Sequence, residues 1–438
     1  MQIYKYPDKK TWIKILARPV FDSTNLFDTV KIVLDDVRLR GDKAVHEYTE
    51  KFDKVTLHQI EVTKEEIDEA EKMISIQLKQ AIEMARRNIW KFHAEQQHDL
   101  KEIQTSPGVF CWQKAIAIEK VGLYVPGGTA PLFSTVLMLG VPAQIAECKE
   151  IILCTPPDKE GKIHPAVLYA AKVAGVHRIF KIGGTQAIAA MAYGTETVPK
   201  VYKIFGPGNQ YVTAAKQLVS LCDVAIDMPA GPSEVEVIAD KTSNPAFVAA
   251  DLLSQAEHGT DSHVLLITVD EALVEKVLEQ IEIQIEMLPR KEIARKALEN
   301  SKIIVLKTLE EAVEITNEYA PEHLIISTHY YMGVAANITN AGSVFLGNFT
   351  PESAGDYATG TNHTLPTNGY AKAYNGVNLD SFIRKVTFQQ LTREGLTNLS
   401  NAIILMAENE GLQAHSNAVK VRLMDEEKKI EEFNSRHI

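Results

Sequence analysis

Several residues that can bind a metal ion lie at or just beyond the ends of apolar segments. Gln255 and His258 close an apolar segment that begins at Ala246, and residues three apart share one face of a helix. His415, after Asp356 in the chain, again follows a segment with apolar periodicity. Imidazole nitrogen and carboxylate oxygen are common ligands of Zn²⁺, whose catalytic sites keep one position open for a substrate. The candidate metal ligands are therefore Gln255, His258, Asp356 and His415, although glutamine is an uncommon ligand.

Acid–base chemistry is indicated by the adjacent residues Glu322 and His323, which follow a segment of helical spacing at 309–319 and precede an apolar strand. A carboxylate that activates water beside an imidazole that moves protons suits an oxidation or a hydrolysis. Ser233 could bind a substrate or cap a turn, and no Gly-x-Ser-x-Gly motif marks it as a nucleophile. A single histidine is more often a packed or capping residue than a ligand, so spacing alone leaves both interpretations open.

Alternating strands and helices must position these residues. From Ile118 onward, short β-branched runs alternate with helix-length segments, the pattern of a parallel sheet covered by helices. The strands are predicted at 121–125, 151–154, 178–182, 201–205, 224–227, 235–239, 263–268, 302–306, 324–327 and 343–347. The pattern predicts an α/β fold with two consecutive Rossmann-like domains, doubly wound but incomplete, and a ligand is expected in the crevice between such halves.

The remaining segments are predicted to be mainly helical. In the C-terminal part of the chain, helical spacing continues to about residue 423, and the charged run 425–432 predicts an exposed helix. The segment 348–376 is rich in Gly, Thr, Asn and Pro and too long for an ordinary connection, which predicts a functional loop. The predicted organisation is an N-terminal arm at 1–20, a helical region at 21–117 that packs with the second α/β half, α/β domains at 118–231 and 232–378, and a helical extension at 379–438.

Glycine-bearing turns follow three strands of the first predicted domain, at 126–129, 183–186 and 206–209. Such turns let backbone N–H groups approach a phosphate at the start of a helix. None has the G-x-G-x-x-G spacing of the usual dinucleotide motif. One such turn is commonly only a tight turn, but three in one sheet favour a ligand.

Composition narrows the class of partner. The 57 acidic and 46 basic residues give a net charge of −11, which weighs against binding to nucleic acid or to an anionic membrane surface. The first residues are too charged for a signal peptide, and no apolar run approaches the length of a membrane span. The four cysteines lack a Cys-x-x-Cys pair and suit a reducing cytoplasm. Small-molecule partners are expected.

A series of short sequence blocks resembles the histidinol dehydrogenase family. Each block is weak alone, but their order along the chain makes the set specific. The blocks are GLYVPGG at 122–128, GGTQAIAA at 183–190, GPGN at 206–209, DMPAGPSE at 227–234, SQAEHG at 254–259, APEH at 320–323, SAGD at 353–356, GTNH at 360–363 and EGLQAH at 410–415.

The resemblance implies a zinc enzyme that oxidises L-histidinol to L-histidine through an aldehyde in two NAD-dependent steps, the last steps of histidine biosynthesis. It implies that Glu322 activates water for the aldehyde step and that His323 moves protons in both oxidations. The implied zinc ligands are Gln255, His258, Asp356 and His415. These four residues, with Ser233, His323 and Glu410, are the implied contacts to histidinol.

The resemblance also implies that Tyr124, Gln186 and Asn209 contact NAD, and that Glu410 and His415 reach the site of the other subunit of a homodimer. Two alternatives stay open. One is a related zinc-dependent polyol dehydrogenase, and the other is a zinc hydrolase or a metabolite-binding protein without catalysis. NAD reduction in the presence of histidinol separates the first possibility from the other two.

Overall fold

A computed structural model describes residues 1–18, 24–97, 99–127, 130–229 and 231–436. These residues form two compact units, one of residues 1–97 with 117–382 and the other of residues 98–116 with 383–438. Parts of several sequence-based predictions lie outside the described residues: residues 19–20 of the arm, 21–23 and 98 of the helical region, Gly128 and Thr129 of the first glycine turn, Ala230 of the first α/β domain, and 437–438 of the extension.

The strands include all ten runs predicted from apolar patterning, with small shifts at the ends. In chain order they are β1 (Gln2–Lys5), β2 (Glu102–Ser106), β3 (Val109–Ala117), β4 (Lys120–Tyr124), β5 (Glu150–Thr155), β6 (Arg178–Lys181), β7 (Lys203–Phe205), β8 (Ala225–Ile226), β9 (Glu234–Ala239), β10 (His263–Thr268), β11 (Lys302–Val305), β12 (His323–Ser327), β13 (Ser343–Leu346) and β14 (Ile383–Leu391).

The helices fill the segments between these strands and extend both ends of the chain. They are α1 (Trp12–Ile15), α2 (Thr24–Arg40), α3 (Asp42–Asp53), α4 (Lys64–Met73), α5 (Ile76–Ala94), α6 (Phe133–Ile145), α7 (Pro165–Val173), α8 (Gly184–Tyr193), α9 (Gln210–Ser220), α10 (Pro245–Ala256), α11 (Glu271–Ile285), α12 (Lys291–Glu299), α13 (Leu309–Tyr319), α14 (Tyr331–Ala335), α15 (Glu352–Tyr357), α16 (Arg393–Asn409) and α17 (Gln413–Arg436).

The first sheet is parallel throughout, with strand order β6-β5-β4-β7-β8. Side chains alternate along a strand, so Ile151 and Leu153 of β5 pack into one core with α5, α6 and α7. Ile152 and Cys154 of the same strand pack into the opposite core with α2, α8 and α9. Burial on both faces explains the unbroken apolar runs in the sequence.

The second sheet is also parallel, with order β1-β11-β10-β9-β12-β13. Helices α10, α11 and α12 cover one face, and α1, α13 and α14 cover the other. Both sheets therefore have the α/β architecture expected from the sequence. The arm is extended as predicted at its start, where β1 adds an edge strand through the register Gln2 to Lys302.

The helical region packs against a different part of the chain from the one predicted. Helices α2, α4 and α5 pack mainly against helices α6 to α9 of the first sheet, not against the second α/β half. A contact with the second half does exist, because Asn88 Nδ2 donates to Ala358 O at 2.7 Å. An apolar stripe such as Val30, Val33 and Val37 predicts that one helix face is buried, but it does not identify the sheet that buries it.

The second unit contains strands that the helical predictions for 21–117 and 379–438 did not include. Its sheet has the order β14-β3-β2, with β2 and β3 antiparallel, and α16 packs against α17. In the described part of the chain, no helix combines the length and apolar character needed to cross a membrane.

Candidate active site

Glu322 and His323 lie at the amino-terminal end of β12, next to the first residue of β9. Helix α13 ends in a left-handed residue, Ala320, so the chain turns sharply before Pro321 and enters the strand at His323. The Glu234 N–H donates to Glu322 Oε2 at 2.8 Å, and His323 Nδ1 lies 3.2 Å from Glu234 O. A carbonyl only accepts hydrogen bonds, so this contact places the proton of a neutral His323 on Nδ1 and leaves Nε2 as the exchanging nitrogen.

Two carboxyl groups of α15 face the His323 ring. Asp356 Oδ1 lies 3.5 Å from Nε2, and Glu352 Oε1 lies 3.7 Å from Nδ1. Burial disfavours the charged form of His323, but the carboxylates of Glu352 and Glu322 outweigh it and raise the pKa of His323 well above its ordinary value. Burial raises the pKa of Glu352 to about 8. The ring therefore lies in a buried, strongly acidic environment.

Asp356 is held at this position by His363 as well as by its own helix. His363 Nδ1 lies 3.0 Å from Asp356 O, and Nε2 lies 3.0 Å from Thr135 Oγ1. Burial would raise the pKa of Asp356, but the contact with His323 and the neighbouring rings of His363 and His258 lower it. Asp356 is therefore set up as an anionic oxygen donor.

Gln255 and His258 lie at the C-terminal end of α10, as the sequence predicted for their segment. Gln255 is buried and His258 is exposed just beyond the helix. When the amide nitrogen of Gln255 faces Glu352 Oε1, its oxygen accepts from the Glu234 N–H at 3.0 Å. Ser254 Oγ also donates to Glu352 Oε2 at 3.2 Å. Glu352 thus orients the amide through its nitrogen, and the amide oxygen keeps a lone pair that could bind a metal ion.

The side chains around Asp356 fit a divalent metal. His323, Glu352 and Asp356 each offer a ligand atom within 4.8 Å of the others. His323 Nε2 and Asp356 Oδ1 are buried without a hydrogen-bond partner, which is costly unless a ligand satisfies them. This group shares only Asp356 with the predicted ligand set, and it adds His323 and Glu352 to the donors available at this edge.

The other predicted substrate contacts lie in two places. Ser233 directly precedes β9, and its carbonyl accepts from the His263 N–H at 3.0 Å. Glu410 and His415 belong to the second unit, where Glu410 ends α16 and His415 lies in the first turn of α17. Both are exposed, so neither has a packing role that would explain its presence.

The predicted cofactor residues lie at the carboxyl edge of the first sheet. Tyr124 is the last residue of β4, its buried hydroxyl accepts from the Gly184 N–H at 3.0 Å, and burial raises its pKa. Gln186, in the first turn of α8, is fully buried, and neither polar atom of its amide has a partner. Doubly wound sheets bind ligands at this edge, and an unpaired buried amide there fits a polar cofactor group.

Asn209 caps α9 and follows the glycine turn that leaves β7. Its Oδ1 accepts from the N–H groups of Tyr211 and Val212 at 3.1 Å each. A buried ion pair between Lys216 and Asp227 holds the turn in place. Lys216 Nζ donates to Gly206 O at 2.8 Å, and Asp227 Oδ2 accepts from the Gly206 N–H at 2.8 Å. Both polar groups of Gly206 are therefore held.

Replacing Gly206 by alanine should cost roughly 3–5 kcal/mol of unfolding free energy. Gly206 has φ +125°, and an added Cβ would overlap the carbonyl oxygen of Tyr124, a backbone atom that cannot move aside cheaply. Urea unfolding measures the loss. Gly411→Ala is the matched control, because Gly411 has φ +75° with open space around it and should lose only the backbone-strain part. Equal losses in the two variants would contradict the steric argument.

The sequence analysis did not single out four residues that the structure brings to the site: Arg18, Glu234, Glu352 and His363. Glu234 and His363 lie within the sequence blocks at 227–234 and 360–363, and Glu352 directly precedes another, so their position beside a motif was an available signal. Arg18 offered no local signal, because its partner Glu234 is 216 residues away.

Comparison with known proteins identifies the family. A family model described as histidinol dehydrogenase matches residues 16–423. The chain is 66% identical to the histidinol dehydrogenase of Bacteroides thetaiotaomicron over 97% of this chain and 99% of that protein, and 52% identical to that of Shigella sonnei over 94% of each. The crystal structure of histidinol dehydrogenase from Elizabethkingia anophelis superposes with a TM-score of 0.95 at 56% identity, covering 97% of this chain and 98% of that one. The chain therefore belongs to the histidinol dehydrogenase family.

Proposed function

We propose that the buried group at the amino-terminal ends of β9 and β12 binds L-histidinol and oxidises it to L-histidine through the aldehyde. The family makes the chain an NAD-dependent oxidoreductase of the final steps of histidine biosynthesis. The observation that carries the assignment to this site is that the backbone of Glu234 contacts both Glu322 and His323, while His323 Nε2 faces Asp356 Oδ1 at 3.5 Å and neither of these two atoms has a hydrogen bond.

A metal belongs to the family, and we infer that it is zinc held by Gln255, His258 and Asp356 with His415. The donor chemistry of one carboxylate, one amide oxygen and two imidazoles suits a borderline cation. When bound, zinc supplies a Lewis acid and a template for the amino and imidazole nitrogens of histidinol. Two buried atoms without a hydrogen-bond partner, His323 Nε2 and Asp356 Oδ1, support this location.

His323 is the proton carrier in this proposal. Its Nδ1 is committed to Glu234 O, so Nε2 is the nitrogen that takes the proton of the substrate hydroxyl in the alcohol oxidation, after the ring has given up the proton that the neighbouring carboxylates favour. Glu322 then removes a proton from the water that attacks the aldehyde carbon, and the resulting hydrate loses the one hydride left on that carbon and passes a hydroxyl proton to His323. Both side chains are buried and hydrogen-bonded to one strand, so they are held in position before the substrate arrives.

NAD, when bound, supplies the hydride acceptor for both oxidations. We infer that Tyr124, Gln186 and Asn209 contact it at the carboxyl edge of the first sheet. Gln186 is the strongest support, because its amide is buried with both polar atoms free of hydrogen bonds. Asn209 stands at the start of α9, where backbone N–H groups favour a negatively charged group.

We also propose that Ser233 and Glu410 contact histidinol and that the working unit is a homodimer, in which Glu410 and His415 complete the partner's site. A carboxylate such as Glu410 suits a cationic imidazole or amine. The four free cysteines fit the proposed cytoplasmic setting.

The direct test is the stoichiometry of NAD reduction. The purified chain, containing about one zinc per subunit by elemental analysis, should form two NADH per L-histidinol consumed, because both oxidations pass a hydride to NAD. A polyol panel is the control. NADH formed with polyols but not with histidinol would favour the related polyol dehydrogenase, and no NADH with either would remove the dehydrogenase assignment.

A further inference from the structure

The backbone of one residue, Glu234 at the start of β9, contacts both residues proposed to do the chemistry. The N–H of Glu234 donates to Glu322 Oε2 at 2.8 Å, and the carbonyl of Glu234 lies 3.2 Å from His323 Nδ1. The same N–H lies 3.0 Å from the amide oxygen of Gln255 in the orientation that satisfies both amide groups. A shift of the Glu234 backbone would therefore displace the proposed water-activating carboxylate and change the hydrogen bond that sets the His323 tautomer.

The side chain of Glu234 holds its backbone in place at the start of β9. It is 1% exposed, and its carboxylate is clamped by Arg18, whose Nε donates to Oε1 and whose Nη2 donates to Oε2 at 2.8 Å. The N–H of Asn368 also donates to Oε1, at 3.1 Å. A two-pronged guanidinium contact fixes both the distance and the direction of a carboxylate.

Arg18 is itself anchored away from the reacting groups. Its Nη2 also donates to Tyr319 O at 2.9 Å, and its guanidinium carbon lies 3.9 Å from the centre of the Tyr319 ring. Tyr319 is the last residue of α13, which leads directly to Glu322. Arg18 thus joins the strand that carries Glu234 to the helix that delivers the proposed base.

We propose that Arg18 is a positioning residue for both oxidations, acting through Glu234 on Glu322 and His323. The inference rests on the proposed roles of those two residues. The hydrogen bonds of Arg18 go to Glu234 and Tyr319 and not to Glu322 or His323, so its effect passes mainly through the Glu234 carboxylate and backbone, with Tyr319 at the end of α13 as a second contact. Without the guanidinium, a buried carboxylate would lack its charge partner and would turn toward solvent or a new donor, carrying the peptide with it.

The test compares Arg18→Ala and Arg18→Lys with the parent enzyme, using histidinol and the aldehyde as separate substrates. Arg18→Ala should lower kcat for both by about 10- to 100-fold, the usual loss when a partner that orients an active-site ligand is removed. KM for NAD should stay within about twofold, because the proposed cofactor residues lie on the other sheet. The kcat of Arg18→Lys should lie between that of Arg18→Ala and that of the parent enzyme, since lysine restores the charge but not the two-pronged contact.

Chemical rescue distinguishes positioning from a general loss of structure. The Arg18 side chain is 16% exposed, so a small cation can enter the space left by Arg18→Ala. Guanidinium chloride at millimolar concentration should raise kcat of that variant severalfold, while urea and sodium chloride at equal concentration should not. Lys5→Ala is the matched control, because Lys5 also pairs the N-terminal segment with a glutamate, Glu271, but on an exposed surface.

The outcomes separate this inference from the proposed function. Full kcat in Arg18→Ala, or a folded Arg18→Ala that guanidinium does not restore, would overturn the positioning role. If Arg18→Ala does not fold, Arg18→Lys decides, and an unchanged kcat in that variant would overturn it. Glu322→Gln is measured in parallel. If Glu322→Gln keeps full aldehyde oxidation, the role proposed for Glu322 fails and the positioning role fails with it; if only the Arg18 variants are unaffected, the positioning role alone fails.

Discussion

Glu322→Gln should slow aldehyde oxidation by about 10²- to 10⁴-fold while alcohol oxidation keeps most of its rate, because only the second oxidation needs an activated water. The amide of glutamine can still accept the hydrogen bond that the Glu234 N–H now gives to Glu322 Oε2 at 2.8 Å, so the local structure should be retained. With histidinol as substrate, the variant should release or accumulate the aldehyde after the first NADH. Single-turnover measurements of NADH from histidinol and from the aldehyde give the two rates.

Glu318→Gln is the matched control for that variant. Glu318 lies four residues earlier, in the last turn of α13, and forms an exposed pair with Lys372, so the same chemical change there should leave both oxidations unaffected. Equal losses of alcohol and aldehyde oxidation in Glu322→Gln would remove the water-activating role and favour a structural one. A loss in Glu318→Gln would point instead to a general sensitivity of the helix.

The strands of the two sheets were predictable because both faces of each sheet are buried. In β5, for example, Ile151 and Leu153 enter one core while Ile152 and Cys154 enter the other, and the sequence shows an unbroken apolar run. Strand β14 lacked that signal, since most of its residues are exposed. Its pairing in the sheet with β3 joins segments more than 200 residues apart in sequence, which no local pattern records.

The site itself was predictable only in part. The adjacent residues Glu322 and His323 sit at the end of α13 that the pattern predicted, so their proximity needed no tertiary information. The contact between His323 and Asp356 depends on how α15 returns to the sheet, and a loop rich in Gly and Thr carries no periodicity that would show it. The contact between Arg18 and Glu234 joins the segment after α1 to β9, so it depends on tertiary packing and not on any local sequence pattern.

The proposed cofactor site lies at the carboxyl ends of its strands and the proposed acid–base site at the amino-terminal ends of its strands. The sequence did not predict this difference. Tyr124 ends β4, at the carboxyl edge where doubly wound sheets usually bind ligands. His323 begins β12, so the acid–base group lies at an amino-terminal edge. Helix α10 runs back along the sheet and delivers Gln255 at the same edge. A rule based on carboxyl ends would therefore have found the proposed cofactor residues and missed the residues proposed to be catalytic.

Two inactive variants should restore activity to each other if the sites are shared between protomers. Asp356→Asn alters the first unit and His415→Asn alters the second, and each alone should lose zinc and nearly all activity. When both are co-expressed in equal amounts, half of the dimers should be mixed, and each mixed dimer should contain one site free of both changes. The preparation should then regain roughly a quarter of the parental activity and zinc content.

The pair His415→Asn with Glu410→Gln is the control, because both residues belong to the second unit. In their mixed dimers every site receives one altered residue, so the activity of the mixture should stay at the average of the two single variants. Both residues are exposed, so neither substitution should prevent folding of the chain. Restoration by the first pair and not by the second requires that one protomer completes the site of the other. If neither pair restores activity although mixed dimers are present, the proposal that the sites are shared between protomers fails.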